Sequence, residues 1–149
     1  MAELPEPKPG LVIRYAYLWR DEQIRGHEEG RKDRPCAVIL AVRQKEGKTR
    51  VVVAPFTHSP PDINSGAVEV PPQTAKRLGL DDEAQWIITN EINLFTWPGP
   101  DIRPVPGKSP STIAHGYLPH NLASKIIDNV KEQVAKHSAK SVERDEGLE

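Results

Sequence analysis

The chain has 149 residues, of which 37% are hydrophobic and 28% charged, so one globular domain is the simplest expectation. Its formal net charge of −1 provides no general attraction for polyanions, and any nucleic-acid binding must come from a local patch. The single cysteine, Cys36, excludes an internal disulfide and is typical of a reducing compartment. Apolar runs are shorter than the roughly 20 residues of a transmembrane helix, and MAELPEPKPG at the start does not read as a signal peptide. We therefore expect a cytoplasmic protein.

The first third of the sequence predicts two strands separated by a charged loop. Residues 1–9 are rich in proline and predict a flexible lead-in. Alternation in GLVIRYAYLW, residues 10–19, predicts a half-buried strand with its large apolar side chains on one face. Residues 20–34 predict a functional or disordered loop, because ten of these fifteen residues are charged. The continuous apolar run PCAVILAV, residues 35–42, then predicts a buried strand.

The middle of the sequence predicts further short strands joined by turns. KEGK forms a turn, and TRVVVAPFT, residues 49–57, is the returning strand. A short strand at 67–70 precedes one or two helical turns at 73–80, with Gly79 as the C-terminal cap. Residues 85–97 predict one long or two short strands, and the proline-rich segment 100–112 predicts irregular structure.

The clearest helix lies near the C-terminus. Apolar residues recur every fourth position from Leu118 to Val134, which predicts an amphipathic helix over 119–137. Residues 138–149 predict a disordered polar tail. We therefore expect a single domain over 10–137 of the α+β class, mostly β with helices, in which five to seven short strands form a small barrel next to a C-terminal helix.

Several of these segments, in this order, resemble the PemK/MazF toxins of bacterial toxin–antitoxin systems. PGLVIRYAYLW resembles the first strand of that family, and GRKDRPCAVILAV resembles its signature of a glycine, an Arg-Pro pair and an apolar strand. VVVAPFT resembles the third strand, which ends in threonine or serine, while AVEV and TNEINLFTW resemble later strands. The resemblance extends from Pro9 to about Val134.

This resemblance implies an SH3-like barrel, usually a homodimer, that acts as a toxin and is inhibited by a cognate antitoxin protein. It implies metal-independent cleavage of single-stranded RNA at short sequences, without a cofactor, leaving a 2′,3′-cyclic phosphate and a 5′-hydroxyl. The matching catalytic positions are Arg34, in the Arg-Pro pair, and Thr57, at the end of the third strand. Arg20, Arg25, Arg31 and Lys32 of the charged loop either form a solvated surface or help to seat the RNA strand. Glu91 and Asn93 stand in the segment after WIIT that corresponds to a polar series of the family, and they are the other candidate RNA contacts.

Metal-free cleavage of RNA also requires groups that transfer protons, and the sequence leaves these open. Arg34 suits the stabilisation of phosphorane charge, because its guanidinium offers paired hydrogen bonds to phosphate. As a general base it is unsuited, because the pKa of arginine lies above about 12. His58 is an accessory candidate because its imidazole has a reference pKa of about 6.5. His115 and His120 are interpreted as surface residues, and Cys36 as a core thiol.

A second class of function is compatible with the same residues. The barrel can serve as a module that binds protein or nucleic acid without catalysis. The neutral balance of charge in the loop at 20–34, and Asn93 at a position where the family has a basic residue, favour this alternative.

Overall fold

The computed structural model describes residues 4–26, 32–62, 65–136 and 139–144. Within these ranges the chain forms eight strands and three helices. In chain order these are β1 (Leu11–Tyr15), α1 (Arg20–Ile24), β2 (Arg34–Arg43), β3 (Thr49–Thr57), β4 (Val68–Glu69), α2 (Pro72–Arg77), β5 (Trp86–Ile87), β6 (Glu91–Trp97), β7 (Ala114–Tyr117), α3 (His120–Ala135) and β8 (Lys140–Glu143).

Strand β3 lies at the centre of a mostly antiparallel sheet. One edge of β3 pairs with β2, and the other edge is divided between two strands, since Thr49–Val53 pair with β6 while Phe56 and Thr57 pair with β5. The order along the sheet is β4-β5-β3-β2-β1-β7, and β8 adds to β6 in parallel. The sheet curls into a half-barrel, which confirms the α+β class, mostly β with a few helices.

Apolar side chains are buried on both faces of the curled sheet. Strand β1 shows the division, because Leu11, Ile13 and Tyr15 belong to one cluster and Val12 to the other. The first cluster is packed among β1, β2, β3 and β6, as the alternation in residues 10–19 predicts. The second cluster lies under α2 and α3, so β1 is buried on two faces and the expectation of a half-buried strand is corrected.

The long helix α3 covers the second core cluster with one apolar stripe. Ala123, Ile126 and Val130 are buried, and Val134 near the helix end is 49% exposed. The predicted span of 119–137 agrees with the observed helix, which begins after Pro119. No helix in the described ranges is long and apolar enough to cross a membrane.

Two segments differ from the sequence prediction because their ordering does not depend on apolar periodicity. The loop predicted at 20–34 begins with the short helix α1, whose side chains are not buried. Strand β7 was not expected, since Ala114–Tyr117 contains histidine and glycine and shows no apolar alternation. It forms because β1 offers a free edge to pair with.

The C-terminal segment corrects the prediction of a disordered tail at 138–149. Residues 140–143 form β8, and the following Arg144 is only 5% exposed. Arg144 Nη2 lies 3.0 Å from Asp101 Oδ2, and Arg144 Nη1 donates hydrogen bonds to Ala16 O and Asn93 Oδ1. The segment is ordered by a buried ion pair and by β pairing, which compensate for its polar composition. Residues 137–138 and 145–149 lie outside the described ranges.

We predict that Arg144→Ala lowers the free energy of unfolding by about 3–5 kcal/mol, because it removes one partner of a buried ion pair. Urea denaturation monitored by tryptophan fluorescence measures the change. Lys140→Ala is the matched control on the same segment, since Lys140 is exposed. If Arg144→Ala and Lys140→Ala lower the free energy of unfolding by the same small amount, the buried contacts of Arg144 do not stabilise the fold.

Candidate functional site

A cleft of about 340 Å³ opens where β2 begins and β3 ends. In the β2–β3 pair Cys36 lies opposite Pro55, and extending this antiparallel register by two residues brings Arg34 opposite Thr57. Both predicted catalytic residues therefore line the same cleft, together with the predicted accessory residue His58. The other lining residues come from β1, from the segment after α2 and from the segment before β7: Arg14, Lys32, Asp33, Pro35, Phe56, Gly79, Leu80, Asp81, Gln85, Val105, Pro106 and His115.

Arg34 is held at the wall of the cleft by the backbone and by an aromatic ring. Its Nη1 donates a hydrogen bond to Phe56 O at 3.0 Å, and its guanidinium carbon lies 5.0 Å from the centre of the Trp19 ring. Its buried Nε has no hydrogen-bond partner in the described part of the chain. Burial lowers the pKa of Arg34, and Arg14 contributes in the same direction. The side chain is thus fixed while it keeps N–H groups for a ligand.

Thr57 presents a hydroxyl group whose proton is available for donation. Its Oγ1 accepts a hydrogen bond from the Ser59 backbone N–H at 3.1 Å, so the turn after β3 fixes the oxygen in place. A hydroxyl can accept and donate at once, which leaves its O–H for an oxygen atom of a ligand.

Positive charge in the cleft exceeds the carboxylates available to balance it. Asp33 pairs with Arg103, with 3.7 Å between Oδ1 and Nε, and Asp81 pairs with His58. No ion pair between described residues involves the cleft's cations Arg14, Lys32 or Arg34. Arg14 Nε, like Arg34 Nε, is buried without a hydrogen-bond partner in the same ranges. The cleft is therefore suited to an anion, and a planar guanidinium such as that of Arg34 can donate hydrogen bonds to the oxygens of a phosphate.

His58 stands at the rim of the cleft next to two carboxylates. Its Nε2 lies 2.9 Å from Asp81 Oδ2 and 3.6 Å from Glu83 Oε2. One ligand atom from each residue lies within 4.8 Å of the others, so these three exposed side chains can hold a divalent cation. Sequence spacing did not indicate this group, because His58 and Asp81 are brought together only by the fold.

His115 is a buried residue of the cleft, which corrects its interpretation as a surface histidine. Its exposed fraction is 9%, and its Nδ1 lies 3.1 Å from Leu78 O. Burial is the main cause that lowers the pKa of His115, and the charges of Arg14 and Lys108 add to it, while the hydrogen bond to Leu78 opposes them. The lowered pKa favours the neutral imidazole over the imidazolium.

The predicted RNA contacts divide into residues near the cleft and residues used by the fold. Lys32 lines the cleft, whereas Arg20 and Arg25 are exposed at the two ends of α1, outside the cleft lining. Arg31 lies outside the described residues. Glu91 is half-buried, and its carboxylate accepts the Arg20 backbone N–H at 2.8 Å.

Asn93 corrects the prediction of an RNA contact. It is 0% exposed, and its amide group accepts from Leu18 N at 2.9 Å and donates to Leu18 O at 2.8 Å. Arg144 also donates to its Oδ1. All of these contacts hold the backbone after β1, so Asn93 is a structural residue of the core.

Cys36 is a core residue, as the sequence predicts. It is fully buried, and burial raises the pKa of its thiol.

Arg14 and His115 are site residues that the sequence analysis missed. Arg14 had one usable signal, since it is a charged side chain inside an apolar strand; His115 had none, because its position depends on the irregular pairing of β7.

The chain matches no protein-family model, and a search of curated proteins returns no significant relative.

The lowered pKa of His115 predicts a loss of stability in mild acid. Below about pH 6.5 the unfolded chain takes up a proton that the folded state resists, so stability falls until the pH passes below the lower pKa of the folded state. The difference in unfolding free energy between wild type and His115→Asn should therefore change between about pH 8 and about pH 5, in the direction of a less stable wild type at low pH. Urea titrations at several pH values measure it.

The exposed His120 supplies the matched control variant, His120→Asn, in the same titrations. A difference between wild type and His115→Asn that stays constant over the whole pH range would contradict the lowered pKa.

Proposed function

We propose that this protein is the toxin of a toxin–antitoxin system and acts as a metal-independent endoribonuclease on single-stranded RNA. The observation that supports this most is the meeting of Arg34 and Thr57 on one cleft whose cations Arg14, Lys32 and Arg34 form no ion pair with a carboxylate in the described ranges. The two residues are 23 positions apart in sequence, and the resemblance to the PemK/MazF family points to both of them. That resemblance also motivates an SH3-like barrel as the finer description of the half-barrel sheet.

The proposed reaction is an attack by the ribose 2′-hydroxyl on the adjacent phosphorus. Arg34 donates to the non-bridging phosphate oxygens, whose negative charge grows in the transition state, and Thr57 donates its hydroxyl proton to the same group. His58 Nε2 donates to Asp81, which leaves Nδ1 to protonate the departing 5′-oxygen when the ring is an imidazolium. The products are a 2′,3′-cyclic phosphate and a 5′-hydroxyl.

The partners belong to the same proposal. A toxin of this kind acts in the cytoplasm, where its substrate is messenger RNA, and it works as a homodimer. Its cognate antitoxin inhibits it with an acidic segment that covers the cleft, because the cations Arg14, Lys32 and Arg34 that line it attract carboxylates as they attract phosphate.

Arg34→Ala is expected to lower the rate of RNA cleavage about 10²–10³-fold and to remove growth inhibition, because it deletes a fixed donor to the developing charge. Cleavage is measured with fluorescent single-stranded RNA of mixed sequence in the presence of EDTA, and the cyclic phosphate is identified by mass spectrometry. Growth is measured after induced expression in bacteria.

Arg43→Ala is the matched control, since Arg43 is an exposed arginine at the other end of β2. Thermal unfolding of both variants separates loss of activity from loss of folding. The site assignment fails if folded Arg34→Ala cleaves as fast as Arg43→Ala, and the function fails if the wild type cleaves no RNA.

A binding module without catalysis is the second candidate. It is favoured by the burial of Asn93, which removes one expected contact from the RNA surface. Specific binding of one RNA, with the bound strand recovered intact after prolonged incubation, would identify this function.

A further inference from the structure

His115 is the extra residue of a β-bulge between β1 and β7. Val12 lies opposite Gly116 and Ile13 lies opposite Ala114, so His115 has no partner across the pair. Gly116 has a φ of +133°, a conformation that L side chains rarely adopt. A Cβ at this position would lie 3.1 Å from Leu78 Cδ2, so glycine also permits the close approach of the two segments. Bulges commonly redirect a side chain next to an active site.

The hydrogen bond to Leu78 determines which nitrogen of His115 is basic. A carbonyl oxygen only accepts, so Nδ1 must donate its proton to Leu78 O. In the neutral ring the lone pair is then on Nε2. This atom is buried and has no hydrogen-bond partner in the described part of the chain. A buried polar atom without a partner is rare and costly, and such atoms are often retained for function.

The charges around His115 favour the neutral ring. Arg14 approaches from β1 and Lys108 from the segment before β7, and both oppose a second positive charge. The cleft itself contributes Lys32, Arg34 and His58, together with the carboxylates Asp33, which pairs with Arg103, and Asp81, which lies against His58. The carbonyl group of Leu78, the residue that follows α2, lies against Nδ1 of the ring. These charges favour the neutral ring in a residue that lines the cleft.

We propose that His115 is the general base of the reaction, and that its Nε2 accepts the proton of the attacking 2′-hydroxyl. This assignment depends on the proposed endoribonuclease function and fills the role that arginine cannot fill. A ribose hydroxyl at this wall of the cleft supplies the hydrogen-bond partner that Nε2 lacks.

The proton and electron changes balance across the two histidines. The 2′-oxygen forms a bond to phosphorus as its proton passes to His115 Nε2. The bond from phosphorus to the 5′-oxygen breaks, its electron pair stays on that oxygen, and the oxygen takes a proton from the His58 imidazolium. His115 gains one proton and His58 loses one, and solvent returns both to their starting states.

His115→Asn is the sharpest test, because an asparagine amide can keep the donor to Leu78 O while the basic nitrogen is removed. We expect kcat for a fluorescent RNA to fall about 10²–10⁴-fold, with KM changed less than threefold. The acid limb of the profile of kcat/KM against pH, which reports deprotonation of His115, should disappear. A non-cleavable RNA with a 2′-deoxy sugar at the scissile position should bind to His115→Asn as tightly as to the wild type. His120→Asn, on an exposed histidine, is the control.

A substrate with a 5′-bridging sulfur separates the two proton transfers, because a thiolate leaves without protonation. On this substrate His58→Gln should regain activity, whereas His115→Asn should remain slow. Should His115→Asn fail to fold, His115→Gln replaces it in the same assays.

The outcomes distinguish the two levels of the proposal. If wild type cleaves RNA and His115→Asn retains its rate and its acid limb, the base assignment is wrong while the endoribonuclease function stands. If His115→Asn and His115→Gln both lose RNA binding in proportion to their loss of activity, His115 is a structural residue of the cleft. If wild type produces no cyclic phosphate from any RNA, the function itself is wrong and the base assignment falls with it.

Discussion

The antiparallel pairing of β2 with β3 is the interaction on which the site depends. The central residues of both strands are largely apolar, and the two strands lie in the middle of the sheet with further strands on their outer edges. Their register cannot shift by one residue without turning buried side chains to the opposite face. The register fixed by the core places Cys36 opposite Pro55, and its continuation by two residues brings Arg34 and Thr57 together at the end of the pair.

The neighbour of β3 changes near the end where the cleft opens. Strand β6 follows β3 only as far as Val53, and β5 takes over at Phe56. The segments after α2 and before β7 then form the remaining walls. Half-buried Arg14 and Arg34 line this space, and within the described ranges neither forms an ion pair with a carboxylate, an arrangement that costs stability. An anion that binds there offsets this cost, so ligand binding and folding stability are linked.

Sequence reasoning was most successful where packing follows a simple period. The apolar run of β2, the returning strand β3 and the stripe of α3 were predicted at nearly their observed positions, because burial of one face dictates the pattern. Prediction from the sequence was wrong where polar residues are buried. Asn93 and Arg144 look like surface residues in the sequence, yet they close a hydrogen-bonded cluster around the backbone of Leu18 and Ala16. Such a cluster depends on contacts between residues far apart in the chain, and no local pattern reports them.

His115 illustrates the same limit at the site. A β-bulge is a property of two paired strands, so the sequence of β7 alone cannot show that this residue turns toward Leu78. The roles proposed for Arg34 and His115 follow from how readily each side chain binds or releases a proton. A guanidinium remains charged even where burial lowers its pKa, so Arg34 is suited to phosphate and unsuited to accept a proton. A buried imidazole with a lowered pKa is a weaker base than a solvated one, but nearly all of it is in the reactive form at neutral pH. In the proposed reaction, the cations that weaken this base would also stabilise the negative charge that develops on the 2′-oxygen as it loses its proton.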